Sequence, residues 1–316
     1  MESTKISIFC PATIANLSCG FDVLGMALEG IGDRMNVSLT QEKGVQITRI
    51  TGGDLPMEAE KNVAGVAALA LLDAAHYQGG VAIEIEKNIL PGSGIGSSAA
   101  SAAGAVWAIN KLLGDPFTPL QLVGFASLGE ALASGSPHAD NVAPALYGGI
   151  TLIRSYDPLD IAKVHCPPLL HAALLHPQIE LKTSDSRSIL KRTISLEKGI
   201  RQWGKVGGLI TGLFTEDYGL ISRSLEDGII EPLRSLLSPG FDDLRQAALK
   251  AGALGFGISG SGPSVFALTT GPEVALNTEK SLINCYQSLG IPFKSYTSAI
   301  IHRGVRLWND QTDSVK

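Results

Sequence analysis

The stretch Pro91-Gly92-Ser93-Gly94-Ile95-Gly96-Ser97-Ser98-Ala99-Ala100-Ser101 constrains this chain more than any other part of it. Just upstream, Val81, Ile83 and Ile85 alternate along a run with the period of a half-buried strand. Just downstream, the alanine-rich segment from Ala99 to Leu113 favours helix, and Gly114 with Asp115-Pro116 ends it. The order is therefore strand, glycine loop, helix. Gly92, Gly94 and Gly96 permit positive φ and let a ligand approach the backbone, while Ser97 or Ser98 is placed to cap the helix. A helix start of this kind suits an anion, phosphate above all, because unpaired amides and the helix dipole both favour negative charge. No Gly-Lys-Ser/Thr follows the glycines, so phosphate would be held by main-chain amides and hydroxyls instead of a loop lysine.

At 316 residues the chain exceeds the usual size of one domain, about 100 to 200 residues, and two domains sharing a cleft are expected, 1–160 and 161–316. The division is placed at the interruptions Asp157-Pro158, Asp160 and Pro167-Pro168. A net charge of -5 with scattered Lys and Arg argues against nucleic acid or an anionic membrane as partner and for a small molecule. The uncharged run from Asn88 to Asn110 contains Pro91, glycines and serines and is a poor membrane span. Glu2 and Lys5 stand where a signal peptide would begin. Cys10, Cys19, Cys166 and Cys285 show neither CxxC pairing nor zinc spacing. Reduced thiols in a cytoplasmic protein are the expectation.

Along the chain, Lys5 to Cys10 reads as a strand and Pro11 to Asp22 as a polar loop with Asn16 and Asp22 as candidate ligands. Strands at Asn36 to Leu39 and Val45 to Ile50 precede a helix from about Asn62 to His76. Pro119, after a Thr118 cap, opens a helix carrying Glu130, and His138, Asp140 and Asn141 crowd a loop before a strand at Ile150 to Ile153. His171 to His176 reads as a strand, Glu180 to Arg187 as a polar loop, and Ser186 to Leu237 as helix broken near Gly207-Gly208 and Gly228, with Arg187 and Arg234 at its two ends. On residue type alone each of these polar groups has an ordinary reading as a cap, a solvated side chain or a surface charge.

Phe241 to Ala251 patterns as an amphipathic helix, and Gly255-Phe-Gly-Ile-Ser-Gly260-Ser-Gly follows it. The formal G-x-G-x-x-G at Gly255, Gly257 and Gly260 is rejected as a dinucleotide fingerprint, because a helix precedes it and Pro263 with the apolar run Val265 to Leu268 follows, the reverse of strand to helix. It reads as a turn between two strands with its backbone, Gly260 included, close to a ligand or another loop. A helix at Glu273 to Leu289, a strand at Phe293 to Ile301 and a frayed tail after Trp308 complete the chain.

Pro11-Ala-Thr-Ile-Ala-Asn-Leu through Asp22, the glycine-serine loop, His138 to Gly149, and Gly257-Ile-Ser-Gly-Ser-Gly-Pro-Ser-Val-Phe-Ala lie in a fixed order that resembles the GHMP kinases. Within that superfamily the first and third stretches are most similar to the branch that acts on homoserine. Ile14, Ser18-Cys19, Pro91-Gly92 and Ala139 depart from the common pattern without removing a side chain that has a role below.

The resemblance implies an α+β GHMP fold: an N-terminal domain like ribosomal protein S5 domain 2 and a ferredoxin-like C-terminal domain, often as a homodimer. It implies ATP along residues 91–101, with Asn62 and Lys87 near the base, and Mg²⁺ on Ser98 and Glu130. The acceptor would be L-homoserine, phosphorylated on its hydroxyl on the way to threonine. Arg187 and Arg234 would grip its carboxylate, with Asn16, Asp22, His138, Thr183 and Gly260 around its other end. Asp140 and Asn141 are nearest the reacting hydroxyl, with Asp140 as general base or no base at all. A GHMP kinase for another small alcohol (mevalonate, shikimate or a sugar) and a non-catalytic GHMP ligand binder are the alternatives.

Overall fold

A computed structural model describes residues 4–179, 181, 183–191 and 193–308, without the side chains of Thr183 and Ser184. The expected frayed tail after Trp308 lies outside the described residues.

Alternating apolar residues build the first sheet. β1 (Lys5–Ala15) and β2 (Leu24–Thr40) pair antiparallel with a register shift between Pro11 and Thr13. Both are longer than the sequence pattern suggests. Pro11 to Ala15 is strand, because Ala12, Ile14 and Ala15 are fully buried, and only Asn16 to Val23 forms the expected loop. β3 (Gly44–Thr51) runs parallel to β4 (Gly80–Glu86) across α1 (Val63–Ala74), and β4 pairs with the second half of β2. α2 (Ser97–Leu112) and α3 (Pro119–Ser134) pack with α1, and α2 lies on β1 and β2.

The alanines of α2 have a packing cause. Ala99, Ala100, Ala102, Ala103, Ala105 and Ala108 are all fully buried, so the helix is enclosed on nearly every side. At Gly104 an added Cβ would come within 2.3 Å of Cys10 Sγ and 2.5 Å of Met35 Sδ, so sheet and helix approach more closely there than alanine allows.

His138 to Gly149 contains a short helix, α4 (Val142–Tyr147), where a loop is expected. β5 (Ile150–Tyr156) pairs with β2, and β6 (Leu159–Val164) folds back on β5. The first sheet thus continues to Val164, a few residues past the expected division.

The second sheet has β7 (Leu170–Pro177) at its centre. Glu180 to Arg187 is not simply loop, since α5 (Thr183–Ser188) forms there. α6 (Leu196–Thr215) then runs unbroken through Gly207-Gly208, contrary to the expected break. A helical glycine costs only about 1 kcal/mol, and here it makes room: Cβ atoms at Gly208 and Gly212 would lie 2.6 Å from Ser224 Oγ and 2.9 Å from Ile221 N of α7 (Tyr218–Ser224). After α8 (Glu231–Arg234) and α9 (Phe241–Lys250), β8 (Gly255–Ile258), β9 (Val265–Thr270), α10 (Gly271–Gln287) and β10 (Phe293–Ala299) close an antiparallel sheet in the order β10-β7-β9-β8. Helix–strand–strand–helix–strand after β7 in that order is the ferredoxin-like arrangement. β11 (Arg306–Leu307) returns to β1 in the first sheet.

One apolar core runs from the first sheet to Leu174, Phe266 and Leu268 of the second, and a smaller one fills the space under α9 and α10. The two sheets are thereby fixed against each other, with their loops on a shared cleft. No helix among the described residues is long and apolar enough to cross a membrane. All four cysteines are free thiols, as expected.

Candidate active site

The cleft holds about 370 Å³ and is lined by the glycine-serine loop, the Asn16–Asp22 turn, Glu130, the His138–Asn141 segment, Arg187, Arg234 and the β8–β9 turn. Stretches far apart in sequence meet there because each sits at an end of an element anchored in the shared core.

Gly92, Gly94 and Gly96 have φ of 73°, 79° and 74°, the left-handed region in which side chains are strained. A Cβ at Gly96 would stand 2.0 Å from Thr13 Oγ1, and one at Gly94 would stand 2.5 Å from the Gly262 carbonyl oxygen. Gly96, not Ser97 or Ser98, is the N-cap of α2, and no side chain caps it. Ser97 instead donates to the Ile89 carbonyl at 2.8 Å, so the expected serine cap gives way to a tie between the helix start and the segment that leaves β4. The uncapped amides at the start of α2 are left available to an anion.

The β8–β9 turn holds this loop from the opposite domain. Ser259 Oγ donates to the Gly94 carbonyl at 2.8 Å and Ser264 Oγ to the Ser93 carbonyl at 2.5 Å. Behind Ser264 lies buried His176, whose Nδ1 is 3.1 Å from Ser264 Oγ and whose pKa is pushed down to about 4 by burial and then by Lys294. A neutral imidazole is what that position requires. Neither serine nor His176 carries a signal in the sequence beyond the turn pattern.

Lys87 lines the cleft, but its ammonium is fully used. It pairs with buried Asp33 and donates to the Ser97 carbonyl at 2.8 Å and Ser101 Oγ at 3.0 Å, while Asp33 Oδ1 accepts from Asn88 N and Ile89 N. An ammonium has three donors, so this lysine braces the helix start from beneath. Asn62 is similarly occupied: its Oδ1 caps α1 through Ala64 N at 3.0 Å and its Nδ2 donates to the Pro56 carbonyl at 2.8 Å. Both line the cleft, with scaffold bonds already made. Exposed Lys61, absent from the sequence reading, also lines this end.

Ser98 and Glu130 face each other across the loop. Glu130 is buried, its Oε2 has no hydrogen-bond partner among the described residues, and burial foremost raises its pKa to about 7, against a hydrogen bond from Ser98 and with added repulsion from Asp140. A buried carboxylate oxygen without a donor, beside a hydroxyl and the glycine-serine loop, is a donor set that suits a hard divalent cation, one that also takes phosphate oxygens.

At the other end, Asp22 receives two hydrogen bonds from Arg187, Nη2 to Oδ1 at 2.7 Å and Nη1 to Oδ2 at 3.2 Å, and Arg187 Nη2 lies 3.4 Å from His138 Nδ1. Arg234 is buried, donates to the Gly260 carbonyl at 2.6 Å, and its pKa is lowered to about 10 by burial and by Arg187, which leaves it charged at neutral pH. Both guanidinium groups approach the Phe21 ring, Arg187 Cζ at 5.5 Å and Arg234 Cζ at 5.1 Å from its centroid. Asn16 Nδ2 donates to the same Gly260 carbonyl at 3.0 Å. His138 is held below its ordinary pKa by burial, so it is neutral here. Asp140 is buried and raised to about 7, first by burial and then by Asp22. Asn141 Oδ1 accepts from Thr13 Oγ1 at 2.7 Å.

Ile95, Ala99 and Ala100 turn their side chains into the core and out of the cleft, though they belong to the loop that shapes it. Thr183 has its backbone in α5, and its side chain lies outside the described residues. Tyr156, unsignalled in the sequence, donates to the Asp22 carbonyl at 2.7 Å and accepts from Ala139 N at 3.4 Å, joining two cleft segments.

The chain matches the family models "GHMP kinases N terminal domain" over residues 62–149 and "GHMP kinases C terminal" over residues 209–287. It is 44% identical over 313 residues to a homoserine kinase of Chlorobium phaeobacteroides, covering 95% of this chain and 98% of that one. It is 37% identical to a homoserine kinase of Methanococcus vannielii, over 89% and 94% of the two chains. The crystal structure of homoserine kinase from Cytophaga hutchinsonii superposes with a TM-score of 0.94 at 48% identity over 98% of both chains.

Proposed function

The chain belongs to the GHMP kinases and within them to the homoserine kinases, and from that premise we propose how its cleft is used. It catalyses ATP-dependent phosphorylation of L-homoserine on the side-chain hydroxyl, giving O-phospho-L-homoserine for threonine synthesis. The observation that carries the acceptor assignment is that Arg187 and Arg234 converge on Phe21, with Asp22 bonded to Arg187 and neutral His138 beside them: cations and an anion within one pocket suit a zwitterion. Sugars and shikimate offer no ammonium for Asp22, and mevalonate offers none either.

ATP lies with its phosphates on the amides of residues 92–101 and its base toward Asn62 and Lys61. Asn16, Asp22, His138, Thr183, Arg187, Arg234 and Gly260 surround homoserine. Ser98 and Glu130 would hold Mg²⁺, which supplies charge neutralisation for the triphosphate. Asp140 lies beside the acceptor pocket with a pKa suited to taking a proton near neutral pH, and its role is to orient and accept from the hydroxyl. A loose phosphoryl-transfer transition state asks mainly for alignment, which the clamped loop provides. The protein is cytoplasmic, homodimeric, and needs no nucleic acid or membrane.

ADP release with Mg·ATP and a panel of homoserine, mevalonate, shikimate and galactose tests the assignment. Turnover with homoserine is expected; turnover only with another alcohol would overturn it. A second measurement tests the clamp. Ser264→Ala removes one hydroxyl bond to Ser93 while the Ser264 amide still reaches the same carbonyl at 3.3 Å. The expected cost is about 1 kcal/mol of stability, together with a several-fold rise in KM for ATP and an unchanged KM for homoserine.

A further inference from the structure

The turn that carries Asn16 and Asp22 is strained. Asn16, Leu17, Ser18 and Asp22 have φ of 74°, 42°, 59° and 60°, the left-handed region in which each non-glycine residue carries a conformational cost. Such backbone persists only where surrounding structure over-determines it. Asn16 and Tyr156 supply two of the ties already described, at the turn's two ends.

The third tie comes from α6. Gln202 Nε2 donates to the Cys19 carbonyl at 2.8 Å and, from the same amide, to Asp227 Oδ1 at 3.1 Å, while Gln202 Oε1 accepts from Gly228 N at 3.4 Å. Asp227 in turn organises the entry to α8, accepting from Ile229 N at 2.8 Å, Ile230 N at 3.1 Å and Glu231 N at 2.9 Å. α8 ends on Arg234. One side chain therefore joins the turn bearing Asp22 to the loop that enters the helix bearing Arg234, in addition to the Gly260 carbonyl that accepts from both Asn16 and Arg234.

We propose that Gln202 is a positioning residue for the acceptor amino acid, holding the anionic and cationic halves of its pocket in register. The inference rests on the function assigned above and adds to it a residue that does not touch the substrate. A primary amide is needed at this place. It must offer two protons, one to a carbonyl and one to a carboxylate, and accept a third bond. Methionine fills the space without these bonds. Glutamate keeps an acceptor but sets a carboxylate against Asp227 and the Cys19 carbonyl.

Steady-state kinetics of Gln202→Met and Gln202→Glu, beside the unaltered enzyme, test this. Gln202→Met is expected to raise KM for homoserine about tenfold, with KM for ATP within twofold and kcat within about threefold. Gln202→Glu is expected to raise homoserine KM further still. An unchanged homoserine KM in Gln202→Met, a parallel rise in both KM values, or a glutamate variant that matches the unaltered enzyme would overturn the proposal. If the unaltered enzyme itself fails to turn over homoserine, the assignment of function has failed and not this inference. Thermal unfolding of both variants identifies a general loss of folding, which would lower the apparent kcat without a selective rise in homoserine KM and so also counts against the proposal.

Discussion

Glu130→Gln is expected to lower kcat by about 10³-fold while raising the thermal stability of the ligand-free protein at pH 8. The first effect follows from losing the buried anion that would hold Mg²⁺ against the triphosphate; such charge stabilisation is worth several kcal/mol, and about 4 kcal/mol corresponds to three powers of ten. The second follows from the carboxyl's surroundings. Its folded pKa of about 7 lies above the ordinary carboxylate value because burial penalises the charged form. A group with a raised acidic pKa binds more protons folded than unfolded, so its contribution to stability falls as pH rises between the two pKa values. Above about pH 7 the folded protein holds an ionised carboxylate without a partner for Oε2, and glutamine removes that cost. The gain is small at pH 5, where the folded carboxyl is already neutral, and should reach roughly 2 kcal/mol at pH 8. Differential scanning at the two pH values and a turnover assay check both halves. A variant with near-normal kcat, or one whose stabilisation is larger at pH 5 than at pH 8, would contradict the account.

Arg234→Leu is expected to raise KM for homoserine by 10²-fold or more, leaving KM for ATP within about threefold. Arg234 is buried and hydrogen-bonded to Gly260, so its guanidinium is oriented before substrate arrives and stays charged at neutral pH. Removing one partner from a desolvated charge pair costs about 2 to 5 kcal/mol. Lysine should not rescue it, because a single ammonium cannot bond Gly260 and present a flat donor edge together. The proposed nucleotide end should be spared because Ser259 and Ser264, not Arg234, hold the glycine-serine loop. Equal loss of affinity for both substrates would place the acceptor elsewhere in the cleft.

The glycine-serine loop is legible in the sequence because its chemistry is local. A strand, positive-φ glycines and a helix start follow one another within a few residues, and no long-range contact is needed to see them. The four ordered stretches identified the superfamily, and with it Asn16, Asp22, His138, Glu130, Arg187 and Arg234, all of which line one cleft. Secondary structure departs from the local pattern where packing overrides it: Gly207-Gly208 stays helical because α7 requires the space, and Pro11 to Ala15 stays strand because it pairs with β2.

What the residue order determined by itself is the chemistry on offer to a ligand: glycine-loop amides at a helix start, suited to an anion, and arginines suited to a carboxylate. Only the tertiary structure decided which groups stay free to act. It committed Lys87 to Asp33, Ser97 and Ser101 and Asn62 to the cap of α1, and it left the Glu130 oxygen unpartnered. It also set His176, Ser264 and Gln202 to work behind the site. The reason is physical: donor capacity and burial depend on neighbours tens to hundreds of residues away, and no local pattern records who those neighbours are.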